Sequence, residues 1–337
     1  METLYSTYGS DRNGLIWGYR FTPGQAPVLV DFTTALDLLA NPEQRGCDFL
    51  WLHFSLAHTA AERWLRTDPG LPEGFREGLH ERLNSTRLEQ EADALIAVLH
   101  DVPFDFNFDP AAVATVHLCL QPHVLVSARL HPLRSVHQLR QAVTAGQGFR
   151  SAAELLAQLL QEQANVLAGI IREATGKVDS IEDSLLANRL ALSRRGLGDL
   201  RRVLVRLQRL LAPEPAALFR LLNRPPAWVS EPDQRDLRQA AEEFSATVAD
   251  TATLVERVKL LQEELAARVQ EQSNRTLFIL TMVTVLALPI NLTAALFGMN
   301  VGGIPFSQHP HGFLLIIVLL SVLTGTLAYI TFGRRPR

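Results

Sequence analysis

The pattern of apolar and polar positions divides the chain into three parts, and the first part mixes strands with helices. Up to about residue 148, short apolar runs alternate with helical stretches and turn residues. Runs rich in Val, Ile, Leu, Phe and Trp predict strands. These runs span 15–21, 49–54, 94–98, 113–118 and 123–128. Helical periodicity over 59–66 and 71–82 places helices between them, so residues 1–148 are predicted to form a mixed α+β (α/β) domain.

The second part, residues 149–276, has helical periodicity and no strand signals. Apolar residues recur there every three or four positions, which is typical of amphipathic helices. Two helices joined near Gly196 and Gly198, with a break at Pro213, predict an antiparallel hairpin over 149–230. The segment 231–276 is predicted to be a third helix, a stalk. Its apolar residues repeat at about 3.5 positions, a spacing that favours partner helices alongside.

The third part contains two uncharged apolar stretches, 277–297 and 313–332. Each has about the 20 residues that a helix needs to cross a bilayer. The loop 298–312 carries no Asp, Glu, Lys or Arg, whereas arginines precede the first stretch and the tail 333–337 is basic. By the positive-inside rule, two transmembrane helices are predicted, with both termini cytoplasmic and the loop on the outer side.

Overall charge and cysteine content exclude some classes of function. The net charge of -3 gives no global basic field, which argues against nucleic acid as a partner. Cys47 and Cys119 are the only cysteines and are far apart in the chain, so neither a disulfide framework nor a cysteine metal site is expected. No motif for an enzyme active site is present, so no catalytic residue and no cofactor are predicted.

One helical face of the first predicted span alternates oxygen-bearing and apolar side chains. A helical wheel gives the candidate pore-facing set, and it continues toward the cytoplasm through Glu263 and Glu256. The set is Asn274, Leu277, Leu280, Thr284, Leu288 and Asn291. If several copies turned this face inward, the polar residues would form rings of oxygens and the leucines hydrophobic constrictions. The alternative is that Thr and Asn hydrogen-bond between packed helices. Two spans cannot enclose a pore, so either interpretation requires oligomerisation.

The end of the first span carries the sequence Gly298-Met299-Asn300, directly after an aromatic residue. In this position, between two C-terminal spans, it resembles the GMN signature of the CorA family of divalent-cation transporters. The order of domains is similar along essentially the whole chain. The resemblance implies a funnel-shaped homopentamer whose first span lines the pore, with Gly298, Met299 and Asn300 at the pore mouth. Without the resemblance, these residues would be read as a helix C-cap.

The continuation 301–305, Val-Gly-Gly-Ile-Pro, resembles the GMNVGGIP form of the zinc-transporting ZntB branch and differs from the GMNFE form of magnesium channels. The resemblance implies Zn²⁺ as the transported ion, a bacterial inner membrane and coupling to the proton gradient. The expected partners are further copies of the chain, the lipid bilayer and divalent cations. A magnesium, cobalt or nickel channel is the nearest alternative. A membrane-tethered coiled-coil interaction protein is the alternative from another class.

Histidines and arginines elsewhere give further candidate sites. His309 and His311 in the loop could offer imidazole to zinc, but one His-x-His pair is not a full ligand set. The histidines of the first domain stand alone or alternate with apolar residues, so core or surface roles are favoured over metal binding. A basic run over 189–209 is interpreted as a solvated face or as salt-bridge partners of neighbouring helices, in preference to contact with anionic lipid.

Overall fold

The computed structural model describes residues 9–80, 86–109, 113–187, 190–299 and 310–333. The chain divides into two compact units, Met1–Gln262 and Glu263–Arg337, and each is described by itself. The helix α9, Glu231–Phe297, contributes to both units.

The described part of the first unit contains a seven-stranded sheet. The strands are β1 Leu15–Phe21, β2 Val28–Val30, β3 Phe49–Ser55, β4 Arg87–Glu91, β5 Ala94–Asp101, β6 Ala114–Gln121 and β7 Val124–Arg129. They lie in the order β2-β1-β3-β7-β6-β5-β4. The β3–β7 pair is parallel, with Leu52 opposite Val126, and the other pairs are antiparallel. The sequence pattern predicted all but β2 and β4, which are the two edge strands and have largely exposed or half-buried residues.

Helices cover both faces of the sheet. They are α1 Phe32–Ala40, α2 Pro42–Arg45, α3 Thr59–Thr67, α4 Glu73–His80, α5 Arg134–Thr144, α6 Ala152–Leu186, α7 Leu190–Leu211 and α8 Pro213–Leu222, followed by α9. One apolar core joins a sheet face containing Trp51 and Leu118 to residues of α5, α6, α8 and α9. A second core, on the opposite face, joins Leu52 and Phe54 to residues of α1, α3 and α4. A third joins residues of α6, α7 and α9. The sheet therefore sits between two helical layers, and the long helices share a core with it.

The two glycines that were predicted to join the helices of the hairpin lie inside a helix instead, so this prediction is wrong. Gly196 and Gly198 lie inside α7, and α6 already ends at Leu186. A Cβ atom at Gly196 would lie 3.1 Å from the Cδ1 of Ile181. This glycine thus allows α7 to approach α6 closely rather than breaking the helix.

Two arginines connect α6 to the N-terminal half of α9. Arg150, just before α6, forms an ion pair with Asp233 at 2.9 Å. Near the other end of α6, Arg257 lies 2.8 Å from Asp179 and 2.5 Å from Glu182. Because both ends are connected in the same order, the two helices run parallel within the first unit.

The second unit contains the C-terminal part of α9 and the helix α10, Gly312–Gly333. α9 continues through Pro289 and ends at Phe297, the last residue of the first predicted span. Both helices contain apolar stretches long enough to cross a membrane, and almost none of either stretch is buried within the protein. This exposure distinguishes them from the core helices of a soluble domain.

Candidate functional site

One side of the membrane segment of α9 faces a groove that it shares with α10. Met282 is buried on this side, and Leu286 and Ile290 line the groove together with Ile317 and Ser321 of α10. The groove is mostly apolar. One side of this part of α9 therefore faces α10 of the same chain.

The candidate pore-facing residues lie on the other side of α9. At about 3.6 residues per turn, Thr284 and Asn291 point roughly opposite to Met282. Leu277, Leu280 and Leu288 are 57%, 63% and 64% exposed. We call the exposed residues of this face the α9 stripe. They are Asn274, Leu277, Leu280, Thr284, Leu288 and Asn291.

The polar groups of the α9 stripe retain capacity to bind a ligand. The Thr284 hydroxyl donates to the Leu280 carbonyl at 3.0 Å, so its oxygen lone pairs remain open to accept. The Asn274 carboxamide oxygen accepts a hydrogen bond from Gln270 Nε2 at 2.9 Å. In the described part of the chain, the Asn291 side chain has no hydrogen-bond partner. A neutral, outward-facing oxygen is a suitable group for binding a cation weakly.

The carboxylates predicted on the cytoplasmic side of the stripe are exposed. In the first unit, Glu256 Oε1 lies 3.0 Å from Lys259 Nζ, so its charge is partly balanced by its own helix. Glu263, in the second unit, is exposed as well. Its neighbour Glu264 forms an ion pair with Arg268 at 2.5 Å. The two adjacent glutamates therefore differ in surroundings, which makes them a useful experimental pair.

The GMN segment is only partly described. The Gly298 N–H donates to the Ala294 carbonyl at 2.9 Å, which closes the last turn of α9. A Cβ atom at Gly298 would lie 3.0 Å from that carbonyl oxygen, so a larger residue would be crowded there. Met299 is 52% exposed. Asn300 lies outside the described residues, as does His309. The proposed ion-binding role of Asn300 stays a prediction.

The predicted histidine ligands are not assembled into a metal site in the described residues. His311 is exposed immediately before α10, and its carbonyl accepts the Leu315 N–H at 3.1 Å. In the sheet, the His53 Nε2 accepts a hydrogen bond from Arg129 Nε at 2.9 Å. Burial lowers the pKa of His53 well below its usual value, so this ring stays neutral. Across the described ranges, no group of three His, Cys, Asp or Glu side chains could hold a metal ion.

A buried polar cluster that the sequence pattern did not indicate lies where β5 meets α6 and α8. Glu214 is fully buried, and its two oxygens accept hydrogen bonds from the His100 backbone N–H at 2.5 Å and from Gln163 Nε2 at 2.9 Å. The adjacent Asp101 carboxylate accepts hydrogen bonds from the N–H and the hydroxyl of Ser135. Burial raises the pKa of both carboxyls, that of Asp101 to about 6. Local periodicity cannot reveal a pair separated by 114 residues.

Comparison with known proteins assigns the chain to a family. A family model described as a CorA-like Mg²⁺ transporter protein matches residues 47–335. The chain belongs to the CorA family. As a member of this family of divalent-cation transporters, it is a membrane protein whose two apolar C-terminal helices are the candidate spans. The predicted resemblance to the CorA family is thereby confirmed.

Alignments with individual relatives cover almost the whole of this chain. Divalent cation transporter CmaX of Pseudomonas aeruginosa is 30% identical over 314 residues, which are 92% of this chain and 93% of that protein. Zinc transport protein ZntB of Yersinia enterocolitica is 25% identical over 293 residues, 87% of this chain and 88% of that protein.

Solved structures agree with the same assignment. The structure of full-length CmaX superposes with a TM-score of 0.77 at 27% identity and covers 96% of this chain and 98% of that chain. The complete CorA magnesium transporter from Methanocaldococcus jannaschii has a TM-score of 0.74 at 18% identity, covering 95% of this chain and 98% of that one. The latter likeness concerns the fold alone.

Proposed function

We propose that five copies of this chain enclose a funnel-shaped pore and that the pore carries divalent cations, zinc above all. The observation that carries the proposal is the exposed α9 stripe, whose polar and leucine side chains lie opposite the groove shared with α10. A face that repeats oxygen-bearing side chains along a membrane span is costly in lipid. Turning it toward a central axis removes that cost and supplies the lining of an ion path.

The chemistry of the stripe suits passage rather than storage of an ion. Rings of Asn274, Thr284 and Asn291 oxygens would replace part of the hydration shell of a cation without trapping it by opposite charge. Rings of Leu277 and Leu288 between them would form narrow apolar levels, which exclude water when closed. In this arrangement Gly298 and Asn300 shape the outer mouth, where an amide oxygen ring receives the hydrated ion.

Two lines of support favour zinc. Relatives that cover most of the chain are named as zinc transport proteins, and the continuation 301–305 resembles theirs. The loop 298–312 lacks acidic residues, and His309 and His311 supply imidazole, which prefers zinc to magnesium. The second candidate cargo is magnesium, cobalt or nickel. Of these, the description of the matching family model, a CorA-like Mg²⁺ transporter, favours magnesium.

We further propose that the protein lies in a bacterial inner membrane with both termini in the cytoplasm. The support is the uncharged outer loop between arginine-bearing flanks. The terminal arginines would then surround the cytoplasmic end of the second span. Coupling of zinc import to the proton gradient is part of the same proposal, and it rests on the family resemblance.

Zinc uptake into lipid vesicles containing the purified protein tests the transport proposal. Uptake should require the protein, should exceed magnesium uptake in direct competition, and should respond to an imposed pH gradient. Equal inhibition by magnesium would instead indicate a general divalent-cation channel. A complete lack of flux for any divalent cation would favour the membrane-tethered interaction protein and overturn the proposal.

The variant Asn300→Ala tests the pore mouth. We expect zinc uptake to fall by at least about tenfold, because each subunit loses the amide oxygen offered to the ion. The oligomer should remain a pentamer by mass measurement in detergent. Asn223→Ala, at an exposed position after α8, is the matched control and should transport normally. Unchanged uptake by Asn300→Ala at equal abundance would remove this residue from the mechanism.

A further inference from the structure

The helix α7 places four arginines around one surface groove of the first unit. The groove encloses about 600 Å³. Its lining residues are Gly198, Arg201, Arg202, Val205, Arg206, Arg209 and Gln262. All four arginine side chains are exposed, and the groove has no acidic residue in its lining. We call it the α7 arginine groove.

Most of the positive charge in the α7 arginine groove is not cancelled by carboxylates. Arg201 donates to the neutral amide oxygen of Gln262 at 2.8 Å, while Arg202 pairs with Asp199 on its own helix. No carboxylate among the described residues forms an ion pair with Arg206 or Arg209. Of the two alternatives for the basic run, Arg206 and Arg209 therefore agree with the solvated face and not with salt-bridge partners of neighbouring helices.

Gly198 gives the groove a stretch of open backbone beside the arginines. A glycine inside a helix destabilises it relative to alanine, so its presence calls for a reason. Gly196 has one, because a Cβ atom there would crowd Ile181. A Cβ atom at Gly198 would meet nothing within 4 Å. Gly198 therefore leaves open space, as Gly176 does on α6, and a molecule in the groove could lie against its backbone beside the arginines.

The spacing of the arginines suits an anion with more than one charged group. Arg202, Arg206 and Arg209 follow one another by four and three residues, which places them about one helical turn, or about 5 Å, apart. A guanidinium offers two parallel N–H donors that match two oxygens of one phosphate. A diphosphate or a phosphate ester is therefore within reach of two or more of these side chains.

We propose that the α7 arginine groove binds a phosphate-bearing anion, with Arg206 and Arg209 as its principal charged contacts and Arg201 held in place by Gln262. The anion is either a soluble polyphosphate or the headgroup of an acidic phospholipid, since both present the same oxygens. This proposal concerns a site outside the ion path. Its test requires no transport and stands apart from the proposed function.

The test is calorimetric titration of inorganic pyrophosphate into the full-length protein in neutral detergent. We expect saturable binding to the parent. Replacing both unpaired arginines, as in the double variant Arg206→Gln and Arg209→Gln, should weaken binding by about tenfold or more, because two charge-assisted contacts are lost. The matched control is Arg235→Gln with Arg238→Gln, two exposed arginines of α9 outside the groove. It removes the same net charge and should leave the affinity within about twofold.

A second variant separates ligand contact from damage to the helix. Gly198→Ala should make the protein more resistant to heat, since alanine favours the helix, and should weaken pyrophosphate binding because the added methyl group occupies the groove. Equal affinity of the parent and the double variant would overturn the proposal. An equal loss in the control pair would also overturn it, because it would indicate general charge attraction.

The two sources of phosphate are distinguished by repeating the titration in lipid discs. If acidic headgroups fill the groove, discs containing phosphatidylglycerol should show weaker pyrophosphate binding than discs of phosphatidylcholine alone. The control arginine pair should reproduce that difference. Identical binding in both kinds of disc would assign the groove to a soluble phosphate compound. Loss of the pentamer in the double variant, without any pyrophosphate binding by the parent, would make the groove a contact between subunits and contradict the proposal.

Discussion

In the first unit the carboxylate of Glu214 is fully buried and both its oxygens accept hydrogen bonds, whereas in the second unit the amide of Asn291 is exposed on a membrane helix. The first arrangement is completed by residues of the same chain, namely His100 and Gln163. The second has no partner among the described residues. Polar groups are costly in an apolar environment unless they are bonded. A single chain satisfies the Glu214 carboxylate, whereas the Asn291 amide would gain a partner from a further copy of the chain or from an ion, as the proposed function expects.

The largest effect is expected when the buried carboxylate of Glu214 is removed. Glu214→Ala should lower the free energy of unfolding by about 3 kcal/mol, because it leaves the His100 N–H without its carboxylate acceptor, removes one of the two acceptors of Gln163 Nε2 and opens a cavity. Thermal unfolding of the full-length protein in detergent, followed by tryptophan fluorescence, measures the loss. Glu242→Ala, at an exposed position of α9, should change the melting temperature little. Equal melting of both variants would mean that the buried cluster contributes nothing to stability.

The buried titratable groups of the first unit also predict how its stability depends on pH. Burial raises the pKa of Asp101 from 3.8 to about 6, so its contribution to stability is complete below about pH 4 and is lost as the pH rises toward 6. Burial also lowers the pKa of His117 from 6.5 to about 4. The His117 contribution is therefore lost in the other direction, as the pH falls from 6.5 to 4, and the two effects oppose each other.

Asp101→Asn should reveal the loss of stability that His117 causes at low pH, because the opposing contribution of Asp101 is removed. The variant no longer gains stability from protonation of Asp101, so between pH 7 and about pH 4.5 it should lose about 2 kcal/mol more than the parent. Melting temperatures at the two pH values measure this difference, and any constant cost of the substitution cancels. Asp250→Asn, an exposed control on α9, should follow the parent. If the melting temperatures of Asp101→Asn and the parent changed equally with pH, the Asp101 carboxyl would have the same pKa in the folded and the unfolded protein.

On the exposed side, Asn291→Leu should reduce transport without loss of stability. We expect zinc uptake to fall about tenfold, equivalent to about 1.4 kcal/mol, because one ring of oxygens becomes apolar. Thermal unfolding should be unchanged or slightly later. Thr293→Val is the control, since the Thr293 hydroxyl already donates to the Pro289 carbonyl at 2.7 Å on a half-buried side of α9. Normal uptake by Asn291→Leu would indicate that the stripe does not line the path.

The smallest effect is expected at Glu263. If this carboxylate is one of a ring on the cytoplasmic side of the pore, Glu263→Gln should lower zinc uptake about threefold and alter its dependence on pH between about 5 and 8, since fewer charges attract cations and protons. The control Glu264→Gln removes a carboxylate that is already paired with Arg268 and should do neither. Identical pH profiles for Glu263→Gln and the parent would make Glu263 part of the scaffold.

Features set by local periodicity were accessible from the sequence, and features set by long-range contacts were not. The strand β1 and the end of α9 at Phe297 coincide with the predicted limits because each depends on a continuous apolar run. The edge strands β2 and β4 lack such a run. The membership of the α9 stripe could be predicted, since helical geometry alone decides which residues share a face. The side of α9 that faces the α10 groove could not, and neither could the burial of Glu214 against a strand more than a hundred residues away.

The proline inside α9 has a mechanical consequence. Pro289 lacks an N–H group, so the carbonyl of Val285, one turn earlier, loses its usual helical partner. The helix continues on both sides of this missing hydrogen bond, and a helix bends most easily at such a turn. Within the second unit, the turn of α9 between the levels of Thr284 and Asn291 therefore bends more easily than the turns beside it. A bending load on this part of α9 would be relieved first at that turn, where the angle between the segments before and after Pro289 can change at low cost.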